Sequence, residues 1–262
     1  MKPGPALAAA ALVLGLAGFA MPCAAAGPQL DGMTWPEVRE AIDGGSTTIV
    51  IPIGGTEQNG PHMALGKHNV RVARLAERIA AQLGRTLVAP VMAYVPEPAG
   101  HMRFPGTISV SAEAFTGVLA GAARSLRQHG FRDIVLLGDS GDYQPLLRQL
   151  SERLNREWAG GGARVHHAAA YYQAAATDYP QLLRAEGMSQ AQVGTHAGLA
   201  DTSLMLAVDA SLVRMQRLHE ASPQTGVAGD PSRASAALGQ KGVDLIVDKA
   251  VAAIRQSVGA RR

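Results

Sequence analysis

The chain has 262 residues, 47% of them apolar and only 4% aromatic, with 24 Lys and Arg against 21 Asp and Glu for a formal charge of +3. No stripe of Lys and Arg concentrates that charge, which argues against nucleic acid as a partner, because phosphate recognition needs a dense basic surface. A single cysteine, Cys23, excludes a disulfide framework.

Lys2 is followed by an Ala- and Leu-rich run from Ala6 to Ala20 and then by Cys23-Ala24-Ala25-Ala26, small residues that fit an A-x-A cleavage site. The pattern predicts a secretory signal peptide over residues 1–26 and one domain over 27–262, periplasmic or secreted. The apolar run is shorter than the roughly 20 residues that span a bilayer, so no stable membrane anchor is expected after cleavage. Lipidation at Cys23 is disfavoured by the approach Ala20-Met21-Pro22. Cleavage removes the only thiol, and with it any thiolate metal site or cysteine nucleophile. A chain of this length buries enough core without staples.

Thr34 is placed to cap a short helix running through Ile42, with Pro36 in its first turn, where a missing N–H costs nothing. Thr47 to Ile53 reads as a β-branched strand. It ends in Gly54-Gly55-Thr56-Glu57-Gln58-Asn59-Gly60-Pro61-His62, with His68-Asn69 shortly after. A buried strand that stops in such a loop presents polar side chains at its carboxyl edge, where open α/β sheets bind ligands. Glu57, His62 and His68 are candidate donors to a divalent metal; a plain turn with solvated side chains is the competing reading. Asn69 can cap the next helix, whose Val70, Val72, Leu75, Ile79 and Leu83 share one side before Gly84 ends it.

Thr86 to Val91 predicts a second strand, followed by Gly100-His101-Met102-Arg103-Phe104-Pro105-Gly106-Thr107, whose Pro-Gly turn holds a His and an Arg beside the sheet. Ser111 caps a helix running to Gly130, with Glu113 in its first turn. Asp133 to Leu137 is a third, fully buried strand, and Gly138-Asp139-Ser140-Gly141-Asp142 follows it. On a parallel sheet that loop opens at the same edge as Glu57; either aspartate can equally cap the next helix, about Gln144 to Trp158. Ser140 lacks the G-x-S-x-G spacing of a nucleophile elbow. A strand from Ala163 to Ala169 puts His166 and His167 on opposite faces as structural or surface residues. Helices near Pro180 to Glu186 and Asp201 to Val208 come next, then an amphipathic helix over about Val243 to Ser257. His196 lies among small residues that leave room for a ligand, and Asp201 either caps its helix or adds a carboxylate. Strands alternating with helices predict a largely parallel sheet covered on both faces.

Several blocks then stand in one order: Pro52-Ile53-Gly54-Gly55-Thr56-Glu57-Gln58, Gly60-Pro61-His62, Phe104-Pro105-Gly106-Thr107, His129-Gly130-Phe131-Arg132 and Asp201-Thr202-Ser203-Leu204-Met205-Leu206. Together they resemble the creatininase family of metal-dependent amidohydrolases, from Thr34-Trp35 to about Ala207. The resemblance implies a three-layer α/β/α fold, usually oligomeric, so that a homo-oligomer is expected. It also implies a two-metal site, commonly zinc or manganese, that hydrolyses an amide.

The chain departs from the family pattern at defined places. Family members usually read E-Q-H-G in the first block, with an Asp eleven residues after the Glu; Asn59 and His68 stand at those positions here. After the third strand the family has an N-G-H-x-E type segment, where this chain has Ser140 and Asp142. His196 matches the family's catalytic His, and Asp201 replaces its Glu. What remains is Glu57, His68 and Asp142, a set for one divalent metal, zinc or manganese, with an open position. His196 would protonate the leaving nitrogen beside Asp201. The expected substrate is a small cyclic or linear amide, and the competing expectation is a non-catalytic exported binding protein of the same fold.

Overall fold

A computed structural model describes residue 1 and residues 29–260. The expected leader beyond Met1, Cys23 included, and the terminal Arg261 and Arg262 lie outside the described residues. Four strands, β1 (Thr48–Ile53), β2 (Thr86–Val88), β3 (Asp133–Gly138) and β4 (Arg164–His167), form one parallel sheet in the order β2-β1-β3-β4. Parallel neighbours need long crossovers, and helices supply them. The helix α1 (Trp35–Asp43) precedes β1; α2 (Lys67–Leu83), α3 (Ala112–His129) and α4 (Gln144–Glu157) make the three crossovers in turn. After β4 the chain stays helical through α5 (Ala169–Gln173), a π-helical turn (Ala174–Asp178), α6 (Tyr179–Ala185), α7 (Gln190–Val193), α8 (Leu199–Asp209) and α9 (Ala236–Gly259).

Alternation along the strands splits the core in two. Ile49, Ile51 and Ile53 of β1 pack with Phe115 and Leu119 of α3 and Leu147 and Leu150 of α4. Val50 points the other way, into a cluster with Val72 and Leu75 of α2 and Ile246 and Val247 of α9. With both faces covered, β3 is buried throughout and β1 at all but its first residue, which is why they read as continuous apolar runs. The result is the expected three-layer α/β/α arrangement. Local signals hold where they involve the backbone: Thr34 and Glu37 form a capping box, Ser111 accepts from the N–H of Ala114, and Gly130 ends α3 in the left-handed region.

Three expectations need correction. Asn69 does not cap α2, which starts at Lys67; its Oδ1 instead accepts from Gly55 N at 2.9 Å, so the side chain ties the helix to the loop after β1. Gly54 permits this approach, because a Cβ there would lie 2.2 Å from that oxygen. The second strand stops at Val88 instead of Val91, just before Ala89-Pro90. The last helix begins at Ala236, seven residues before Val243, where Ser235 accepts from Leu238 N.

That early start brings α9 against α8 closely enough that a Cβ on Gly239 would sit 1.8 Å from the Ser203 carbonyl oxygen. Gly239→Ala is therefore expected to force the two helices apart and cost about 1–3 kcal/mol of stability. A urea melt should show a lower midpoint with an unchanged slope.

Candidate functional site

The strands β1 and β3 pair over six residues, from Thr48 opposite Asp133 to Ile53 opposite Gly138, so the two loops that follow leave the sheet side by side. Tyr143 joins them. Its buried hydroxyl accepts from the N–H groups of Asp139 and Ser140, both at 3.0 Å, and has its one proton for the carbonyl of Ile53 or Gly54 at 2.8 and 2.7 Å.

The first turns of α2 aim three basic side chains at these loops. Lys67 Nζ lies 2.9 Å from Asp201 Oδ2, and Arg71 spans Asp139 and Asp201, with nitrogen–oxygen distances of 2.9 Å to each. Burial alone would raise the Asp201 carboxyl, but Lys67 and Arg71 hold it well below the usual carboxylate range. His68 sits between two acids: Nε2 is 2.8 Å from Glu57 Oε1 and Nδ1 is 2.6 Å from Asp139 Oδ2. Carboxylates only accept, so both ring nitrogens donate and the ring is an imidazolium. Burial and Lys67 oppose that charge, but Asp139 and Glu57 prevail and raise the His68 pKa. Tyr171 completes the cluster with a 2.5 Å bond to Asp139.

Glu57 carries the charge outward to the cavity. Burial would raise it, but the bond from His68 and the charges of His68 and Lys67 keep it ionised far below its ordinary value. Its Oε2 accepts from His101 Nδ1 at 2.6 Å, and His196 Nδ1 lies 3.9 Å from its Oε1. The two imidazoles face each other with ring centroids 4.8 Å apart. His196 Nε2 is 3.0 Å from both the carbonyl oxygen and the side-chain nitrogen of Gln58. The tautomer that donates to the carbonyl leaves the Nδ1 lone pair toward Glu57. Burial and the charge of Lys67 lower His196 to about 4, so the ring is neutral at pH 7. Its neighbour Ala197, fully buried, has φ of 53°, a left-handed conformation that a non-glycine residue adopts at a cost and that clusters at functional sites.

One carboxylate and two imidazoles fit a divalent ion: Glu57, His101 and His196 each offer a donor atom, and these lie within 4.8 Å of one another. A second observation agrees. Among the described residues, neither buried carboxylate oxygen of Glu97 has a hydrogen-bond partner. Glu97 faces Glu57, a carboxylate pair that bonds only when one member is protonated, and burial together with the Glu57 charge pushes Glu97 up to about 9. An ion at Glu57 relieves that crowding of negative charge.

The cavity above this cluster, about 460 Å³, is lined by Glu57, His68, Asp142, His196 and Asp201, whereas His62, the other candidate donor, does not line it. The lining residues do not all meet at one point. Glu57 and His196 belong to the three-residue group; His68 is committed to Glu57 and Asp139, and Asp201 to Lys67, Arg71 and the N–H of Ala197. Asp142 lines the wall outside the group, and its carboxyl is raised by burial and by Glu57. His62 bonds Thr202 at 3.0 Å, and Asn59 donates to the carbonyl of Glu57. His101 was visible in sequence only as a His held by the Pro-Gly turn. Asp139, expected either to meet the Glu57 cluster or to cap the next helix, does the former and anchors the buried cluster.

A parallel sheet whose carboxyl edge gathers a buried carboxylate, two imidazoles and a cavity defines an α/β protein with a metal-type donor set. The sequence profile described as creatinine amidohydrolase matches residues 31–254, and the chain belongs to the creatininase family. It is 27% identical over 200 residues to the creatinine amidohydrolase of Pseudomonas putida, covering 74% of this chain and 76% of that one. It is 31% identical over 224 residues to the mycofactocin precursor peptide peptidase of Mycobacterium tuberculosis, covering 79% and 84%. A solved manganese form of creatininase superposes with a TM-score of 0.76 at 23% identity, over 88% of this chain and 98% of that one, which speaks for the fold.

Arg71 is 3% exposed and serves the buried Asp139 and the half-buried Asp201, so Arg71→Leu leaves both acids short of a partner. A loss of about 3–5 kcal/mol is expected in chemical denaturation. A loss below about 1 kcal/mol would mean that Lys67 and Tyr171 already suffice.

Proposed function

We propose that the chain is a metal-dependent amidohydrolase that cleaves a C–N bond of a small cyclic or linear amide over Glu57, His101 and His196. The convergence of those three donors at the floor of a cavity carries the reading. Glu57 would bind the ion through carboxylate oxygen, replacing the proton it now shares with His101, and His196 through its neutral ring. A divalent ion held there supplies Lewis acidity and brings the pKa of a water toward about 7.

The remaining side chains orient and move protons. His68, clamped between Glu57 and Asp139, fixes the direction of the Glu57 carboxylate. Asp142, exposed on the cavity wall and raised by desolvation and by the charge of Glu57, would take a proton from water and return it to the leaving nitrogen. In the overall reaction water oxygen forms the new C–O bond, the C–N bond breaks, and the amine leaves carrying a proton. Zinc and manganese are both compatible with a mixed nitrogen and oxygen set. Export after removal of residues 1–26 and assembly as a homo-oligomer belong to the same proposal, checked by the amino terminus of the secreted protein and by its sedimentation.

Purified protein dialysed with zinc or manganese should retain about one ion per chain. Glu57→Gln and His101→Ala should each lose the ion and all turnover on a panel of cyclic and linear amides. His68→Asn should weaken metal binding by about 10- to 100-fold. His196→Ala separates its two possible roles: loss of the ion marks a ligand, the outcome expected here, whereas retained ion with lost turnover restores the proton-transfer role read from sequence. A wild-type protein that takes up no ion yet binds small amides would replace the hydrolase with a binding protein of the same fold.

A further inference from the structure

We infer that the substrate is an elongated amide bearing a carboxylate, with that carboxylate held by Arg184 at the outer end of the cavity while the scissile bond lies over the cluster; this rests on the hydrolase reading above. The cavity is asymmetric. Its inner end is titratable and rich in acids, Glu57 and Asp142 among them. Its outer end is built by Ala175 and Ala176 of the π-helical turn, Pro180 of α6, and the pair Arg184 and Gln190. Small side chains leave an apolar passage between the two ends, and π-helical turns recur where a helix is opened for a ligand.

Charge assigns the outer end to an anion. Three basic side chains line the cavity apart from the histidines, and two of them, Lys67 and Arg71, are consumed by Asp201 and Asp139. Among the described residues Arg184 has no carboxylate within ion-pair distance. Glu186, two positions along, bonds Lys241 at 2.5 Å instead. Arg184 Nη1 donates to Gln190 Oε1 at 2.7 Å, which steadies the guanidinium at the corner between α6 and α7 and leaves the rest of its donor fork uncommitted. A planar fork of that kind matches a carboxylate with two parallel bonds. A scissile bond over Glu57, His101 and His196 leaves the substrate's own charged group to the outer end, where Arg184 favours an anion and repels a cation. A compact neutral ring would leave the outer part of about 460 Å³ unfilled.

The test pairs dipeptides and N-acetyl amino acids, each as free acid and as the matched carboxamide, with the full mature protein loaded with zinc or manganese. The free acids should be favoured by about tenfold or more in kcat/KM, the effect of one charge-assisted contact. Arg184→Gln should raise KM for the acids by about that factor, leave kcat within about twofold and leave the carboxamides unchanged; Arg184→Lys should recover part of the loss. Which acid works best, dipeptide or acylated amino acid, distinguishes a peptide terminus from a small metabolite as the source of the carboxylate. Equal use of acid and carboxamide, or an equal effect of Arg184→Gln on both, overturns the inference. If no compound is turned over, the hydrolase reading fails and calorimetric titration decides this one separately: Arg184-dependent binding of the acids over the carboxamides supports it, and indifference to the carboxylate ends it.

Discussion

The grip of the buried Arg71 on two carboxylates, Asp139 in the interior and Asp201 at the cavity edge, is the constraint around which this molecule is arranged. Asp139 follows β3 and Asp201 lies in the first turn of α8, so one guanidinium on α2 ties together a sheet edge and a late helix. Buried charges tolerate such positions only when paired and hydrogen-bonded. Lys67 shares Asp201, and His68 and Tyr171 share Asp139, so each acid has several donors and little freedom to shift. The first two turns of α2 thereby fix the positions from which the cavity floor is built.

Where the family pattern has an aspartate eleven residues after the glutamate, this chain has His68, and the exchange inverts a charge at the centre of the site. A cationic ring between Glu57 and Asp139 turns a ligand position into a clamp. The imidazole donors come from elsewhere: His101 from a loop beyond β2 and His196 from the segment before α8, which meet over Glu57. Burial, helped at a distance by the charge of Lys67, keeps His196 neutral and so leaves a lone pair available. Loss of the histidines at the positions of Asn59 and Ser140 therefore does not strip the cavity of nitrogen donors.

Much of the scaffold was legible because it rests on periodicity and backbone chemistry. The apolar runs of β1 and β3, the cap at Ser111 and the stop at Gly130 are local signals, and the ordered motifs gave the family. Glu57, His68, Asp142, His196 and Asp201 were all traceable to one cavity for the same reason, since each follows or begins an element at the carboxyl edge of the sheet. Their division of labour was not legible. Whether His68 faces an ion or two acids depends on Asp139, which is far away in sequence and indistinguishable there from a helix cap. His101 sits in a loop whose path is set by tertiary contacts, and Asn69 looks like a cap until the loop after β1 folds back onto it. The helices between β4 and α8 were missed in part because Ala-rich segments such as Ala168 to Ala176 carry little amphipathic signal.

The Tyr143 hydroxyl has a wider effect than its size suggests. By bonding the backbone of both loops it welds one wall of the cavity into a single plate, on which Glu57, Asp139 and Asp142 keep fixed relative positions. The opposite wall is formed by the π-helical turn and α6, which follow on from α5 and its Tyr171 bond to Asp139. Under the proposed function, Glu57 stands on the welded plate and Arg184 on the helical wall, so a change in the helical wall would alter the guest admitted without moving that carboxylate.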